Sequence, residues 1–246
     1  MPELTPFAWA SIAVGAFFVG AAKTGVVGGG IVAVPLMALA FPAKASTGLL
    51  LPILSTGDIL AVILYRYHAR WGDIARLLPC TLIGIAGGVV FMNHVTDAQL
   101  TPFIGALVLV MLTASLLMQQ FAKNADVSGH PAFAWAMGIL AGFATMTANA
   151  AGPVMAVYLL ARGFDKTKFV GTCAWFFFIV NLCKMPFSAG LGLITRESLT
   201  INALMIPVVF AGGFAGYYAI RVMSQKFFTV MVRVLATLAA IRLLLS

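Results

Sequence analysis

Lys23-Thr24-Gly25-Val26-Val27-Gly28-Gly29-Gly30 interrupts an apolar run that extends from residue 7 to residue 41, and Thr145-Met146-Thr147-Ala148-Asn149-Ala150-Ala151-Gly152-Pro153 interrupts another from 132 to 163. One helical crossing of a bilayer consumes ~20 residues, so each run is too long for a single helix and too short for two full ones with a loop. Glycine costs ~1 kcal/mol against alanine inside a helix and proline ~3, so clusters of this kind end helices. Each run therefore reads as an interrupted helix or a re-entrant hairpin folded back on itself.

Working outward, the rest of the chain is of the same kind. Hydrophobic residues make up 62% of the 246 positions and charged residues 9%, whereas a soluble domain carries about a quarter charged. A water-soluble fold is excluded. The expected class is an all-α integral membrane protein, a polytopic helical bundle forming a single transmembrane domain over residues 1–246. Glu3 stands where a secretory signal would carry basic residues, so the first apolar segment is expected to remain in the mature chain. Cys80, Cys173 and Cys183 lie in apolar runs without a CxxC pair or a nearby histidine and read as small buried hydrophobes. Tyr65, Tyr67, Trp71 and Trp135 lie near segment ends and read as interface anchors. Net charge is +8, but the basic residues stand singly between apolar runs, which points to topology and away from nucleic acid.

The two breaks look like copies. Gly20 and Gly30 map onto Gly142 and Gly152 at a shift of 122 positions, and Thr47 and Gly87-Gly88 onto Thr172 and Gly212-Gly213 at a shift of 125. Two repeats follow, about 1–122 and 130–246, each an interrupted stretch and then three transmembrane helices. If each stretch returns to the side it entered, Arg66, Arg70, Arg76, Lys123, Arg162, Lys166, Lys168, Arg221 and Lys226 share one side against Lys44, Arg196 and Arg242. Nine against three is a usable bias, while treating each stretch as one crossing gives six against six. Cytoplasmic loops collect lysine and arginine, so the first arrangement is preferred. It makes the repeats inverted and places both termini outside the cytoplasm.

Inverted repeats with interrupted helices are the architecture of many secondary transporters, whose half-helix ends present unpaired N–H groups to an anion. Gly28, Gly29 and Gly30 would let backbone amides approach an oxyanion, with Asn149, Ala150 and Gly152 facing them from the second break; the competing reading is close helix packing, favoured for Gly84/Gly88, Gly138/Gly142 and Gly212/Gly216. Charges deep in apolar segments cost ~2.5–3.5 kcal/mol each and so mark function. Lys23, Asp58, Lys184 and Arg233 are the candidates. Lys184 is expected to neutralise an anion, and Asp58 to pair with a lysine or carry a proton; the competing reading is a structural ion pair. For Arg233, snorkelling from a segment end is favoured. Thr24, Ser55, Thr147 and Asn181 add neutral hydrogen-bonding groups, each able instead to bond its own helix.

The run from Gly15 to Leu36, GAFFVGAAKTGVVGGGIVAVPL, resembles the signature of the TauE/SafE family of membrane transporters, with a weaker copy beginning at Gly138. The resemblance implies transport of sulfite, sulfonates or related small anions, often as export, and implies that Gly25, Gly28, Gly29 and Gly30, with Asn149 and Gly152, line the substrate region. Ala150-Ala151-Gly152 replaces the triple glycine in the second copy, so a symmetric amide cradle is not implied. His68, His94 and His130 fall in loops and no GxSxG or HExxH occurs, so no enzyme, metal or cofactor is expected. The expectation is a secondary transporter of small anions in the cell (inner) membrane working by alternating access. Its partners are the substrate, the lipid bilayer and, as an option, a second copy in a homodimer. A proton-coupled importer of small carboxylates and a passive anion channel are the alternatives.

Overall fold

The computed structural model describes residues 4–25, 29–121 and 130–222, with single positions at 230, 234, 237–238, 241 and 244–245. The described residues form helices joined by short turns, without a strand. The order is α1 (Pro6–Thr24), a short 3-10 turn (Gly29–Val32), α2 (Ala33–Ala40), α3 (Ala43–Tyr65), α4 (Trp71–His94), α5 (Asp97–Phe121), α6 (Pro131–Ala148), α7 (Gly152–Ala161), α8 (Lys166–Gly190) and α9 (Arg196–Val222). Six of them, α1, α3, α4, α6, α8 and α9, are long and apolar enough to cross a membrane. Arg233 lies outside the described residues.

Large apolar side chains are exposed along the long helices, while charged and polar ones are buried between them. Ile83, Val90, Leu204 and Phe214 are exposed, while Asp58, Asn181 and Lys184 are buried. Water would reverse that distribution, and only hydrocarbon around the bundle accounts for it.

Local signals explain where the helices start and stop. Thr5 caps α1 by accepting the Ala8 N–H at 3.2 Å, with Pro6 in the first turn, where its missing N–H costs nothing. Asn149 ends α6 in the left-handed region at φ 52°, a conformation asparagine tolerates, and its N–H and that of Ala150 bond back to Thr145 and Ala144. Asp165 caps α8 by accepting the Lys168 N–H at 2.9 Å. That backbone N–H, followed by the Lys168 side chain, holds the Asp165 carboxyl below its ordinary value.

Both interrupted stretches double back. Met37 and Ala33 of α2 lie beside Gly15 of α1, and Gly30 lies beside Ala22, which is an antiparallel return. In the second stretch the Phe133 ring, near the start of α6, stacks on Tyr158, late in α7, at 5.8 Å between centroids. With eight and ten residues, α2 and α7 are about 12 and 15 Å long, half the depth of a bilayer core.

Two long helix pairs frame the hairpins: α1 packs along α9, and α6 along α4. Glycine decides both contacts, because a Cβ at Gly20 or Gly142 would collide with the backbone of α9 or α4. Other glycines lie on the same two contacts: Gly84 on Ile139 and Gly88 on Met146 between α4 and α6, Gly212 on Phe17 and Gly216 on Ala21 between α9 and α1.

Basic residues gather at one end. Asp73, 3% exposed at the start of α4, accepts from the Tyr158 hydroxyl at 3.0 Å and from Arg162 Nε at 3.2 Å, with Arg70 Nε at 3.4 Å. Trp175 Nε1 donates to the Arg66 carbonyl at 3.2 Å, and Trp71 packs on Trp175. At the opposite end of α3 the Lys44 N–H donates to Asp97 at 2.7 Å. Tyr65, read as an interface anchor, instead donates its hydroxyl to the Thr24 carbonyl at 2.7 Å and ties the end of α3 to the first break.

Candidate functional site

A cavity of about 80 Å³ lies between the two breaks, with room for several waters or one compact anion. Ala22, Lys23, Gly30 and Ile31 line it from the first break, and Thr145, Asn149, Ala150, Gly152 and Pro153 from the second. The remaining wall is one face of α8, where Val170, Cys173, Ala174, Phe177 and Asn181 recur at helical spacing, with Leu54 of α3. Cys173, read from the sequence as a buried hydrophobe, is half-buried in this wall.

Each break carries a polar cluster anchored on the long helix that follows it. At the first, Lys23 Nζ lies 2.6 Å from Asp58 Oδ1 and 4.4 Å from the centre of the Phe177 ring. Asp58 is fully buried, and its other oxygen accepts from Asn181 Nδ2 at 2.6 Å. At the second break Lys184, 1% exposed, donates to Asn149 Oδ1 at 2.6 Å and to Thr145 Oγ1 at 3.1 Å. Among the described residues no carboxylate lies within ion-pair reach of Lys184. Asp58 and Lys184 each bond to the lining of this one cavity, Asp58 at the first break and Lys184 at the second, and the lysine that reaches Asp58 is Lys23.

Two ammonium groups and one carboxylate therefore surround the cavity. A buried cation without a counter-charge is costly to hold. Asn149 spends both ends of its side chain, Oδ1 on Lys184 and Nδ2 on the Thr47 carbonyl at 3.0 Å, and so joins Lys184 to the cavity wall. The expected amide cradle is smaller than the sequence proposed: the N–H groups of Asn149 and Ala150 are used to cap α6. Gly152, which opens α7 with Pro153 behind it, keeps the N-terminal end of that half-helix toward the cavity.

Of the residues singled out from the sequence, Lys23, Gly30, Asn149, Ala150, Gly152 and Asn181 line this space, Asp58 and Lys184 bond to the lining, and Gly29 adjoins it in the 3-10 turn. Gly28 lies outside the described residues. Four others are occupied elsewhere. Thr24 donates to the Gly213 carbonyl at 2.6 Å, and a Cβ at Gly25 would collide with Gly216, so both serve the contact of α1 with α9. Ser55 and Thr147 bond back to Leu51 and Phe143 of their own helices. Sequence reading missed Thr145, Cys173 and Phe177. Thr145 was findable, since it stands 122 positions after Lys23 and so in its place in the second break.

A family model described as "Sulfite exporter TauE/SafE" matches residues 12–243, nearly the whole chain. No curated protein and no solved structure matches. The chain belongs to the TauE/SafE family and is a multi-pass membrane protein of a transporter class.

Proposed function

We propose, taking that membership as the premise, that the chain is a secondary transporter of small sulfur oxyanions, sulfite or organosulfonates, and that the cavity between the two breaks is its substrate site. The observation that carries this reading is the buried Lys184 ammonium, held by neutral oxygens one residue away from the cavity wall. An anion in the cavity supplies the charge that Lys184 lacks, with Lys23 and the N-terminal end of α7 as its nearer partners.

Alternating access follows from a pair of inverted repeats, about 1–122 and 130–246, rocking about that site. The exchange of partners between the halves supports it: α1 rests on α9 as α6 rests on α4, each through glycine. The gathering of Arg66, Arg70 and Arg162 at one end supports a cytoplasmic assignment for that end and a non-cytoplasmic one for both termini, in the cell membrane. Outward movement of one negative charge across an inside-negative potential gains ~2.3 kcal/mol per 100 mV, so export needs no coupling ion.

Proteoliposomes loaded with sulfite or a sulfonate provide the test. Saturable counterflow in the wild type, falling about 100-fold in Lys184→Met, is the expected result. Single-channel currents without counterflow would make the cavity part of a pore, and full activity of the variant would remove Lys184 from the mechanism.

A further inference from the structure

Asn181 has one polar atom that nothing in the described structure satisfies. Its Nδ2 donates to Asp58 Oδ2 at 2.6 Å, and Lys23 Nζ occupies the other carboxyl oxygen. Lys23, 2.6 Å from Oδ1, pairs with Asp58 as a carboxylate that only accepts, so the amide cannot be flipped without setting oxygen against oxygen. The carbonyl Oδ1 of Asn181 is thereby fixed as the second polar end of the side chain. It has no hydrogen-bond partner, and the residue is 2% exposed in the cavity wall. A buried acceptor of this kind is expensive to leave empty and calls for a donor. The cations near it do not answer the need: Lys23 is drawn to Asp58 and Phe177, and Lys184 to Asn149 and Thr145.

We propose that Asn181 is a specificity-determining residue of the cavity: its side-chain carbonyl accepts a hydrogen bond from the substrate, so the carrier selects anions that bear their own O–H or N–H. This rests on the transport reading of the same cavity and deepens it. A bare oxyanion offers only acceptors, which suit Lys23 and the amide end of α7 but leave Oδ1 unpaired. A hydroxylated or amino-bearing sulfonate, or a singly protonated oxyacid, satisfies both ends at once. The penalty for the analogue without the donor is that of one unpaired buried acceptor, about tenfold or more in affinity.

The test compares 2-hydroxyethanesulfonate with ethanesulfonate in counterflow by reconstituted wild-type protein, two anions of equal charge that differ by one hydroxyl. A preference of about tenfold or more for the hydroxylated anion is expected, retained in part by Asn181→Gln and reduced below about twofold in Asn181→Ala. Equal rates in the wild type would overturn the proposal whatever the variants do, and so would an Asn181→Ala variant that slows both anions equally, since that is a structural effect. Sulfite counterflow in the same vesicles separates the two readings. If sulfite moves while neither sulfonate does, its pH profile decides: a rate that follows the protonated monoanion supports the donor, and one that follows the dianion overturns it. If no sulfur oxyanion moves at all, the transport reading fails and this inference fails with it.

Discussion

The two breaks are built on one plan and charged on opposite ones. At the first, the hairpin supplies the cation and the long helix the acid, Lys23 to Asp58; at the second, the long helix supplies the cation and the hairpin only neutral oxygens, Lys184 to Thr145 and Asn149. Asp58 and Lys184 both sit in the helix that follows their hairpin, and Lys23 and Thr145 both sit at the end of the hairpin's first arm. Had the second break repeated the first, the interior would hold two closed ion pairs and no net charge. Among the described residues the difference leaves two lysines to one aspartate at the two breaks, the excess on which the proposed anion site rests.

That contrast makes distinct demands on the two clusters. Asp58→Ala strands Lys23 without its partner, and removing one member of a buried pair is expected to cost about 3–5 kcal/mol, read as a large fall in thermal stability in detergent. Restoring neutrality with Lys23→Met in the same chain should recover most of that loss; if it does not, the pair is not what holds the first break. Lys184→Met should behave in the opposite way. Taking out a buried charge that has no counter-charge leaves stability unchanged or higher while counterflow falls, so a loss of several kcal/mol there would erase the distinction between the breaks. Thr145→Val removes one of the two hydrogen bonds to Lys184 and is expected to cost about 1–3 kcal/mol, a second check on the same cluster by thermal unfolding. The smallest effect belongs to the loop before α8. The Asp165 carboxyl lies below its ordinary value because the Lys168 N–H bonds its charged form, so its contribution is present above the ordinary carboxylate range and lost as pH falls through the lowered value. Asp165→Asn should flatten that acidic slope slightly and leave transport unchanged, as a pH series of melting curves would report.

Much of the bundle was legible because it depends on short stretches and on one solvent. Apolar runs too long for one helix, broken by glycine or by Asn149-Ala150-Ala151-Gly152-Pro153, became α1 with α2 and α6 with α7. Lys23, Asp58 and Lys184 stood out because charge in an apolar segment needs a reason, and all three bond to the cavity lining or form it. The polar hydroxyls were less legible. Thr24, Ser55 and Thr147 each have a backbone carbonyl within reach whatever the fold, and the choice between that carbonyl and a substrate is made by which face of the helix meets a neighbour. Cys173 and Phe177 carried no signal at all, being ordinary apolar letters on the face of α8 that the cavity happens to touch.

By itself, the sequence determined that the chain lives in lipid, that its two long runs are interrupted, and that a few charges are held at depth, since each of these follows from local composition set against the cost of burying polar groups. Only the tertiary structure decided which charge meets which. Lys23 and Asp58 are separated by 35 positions and Asp58 and Asn181 by 123, so their pairing depends on how α1, α3 and α8 are laid against one another, with Gly57, beside Asp58, letting α3 approach Lys23. Among the described residues the same packing left Lys184 without an acid and Asn181 Oδ1 without a donor, because a hydrogen bond is a matter of ångströms between helices and no pattern along one chain fixes that distance.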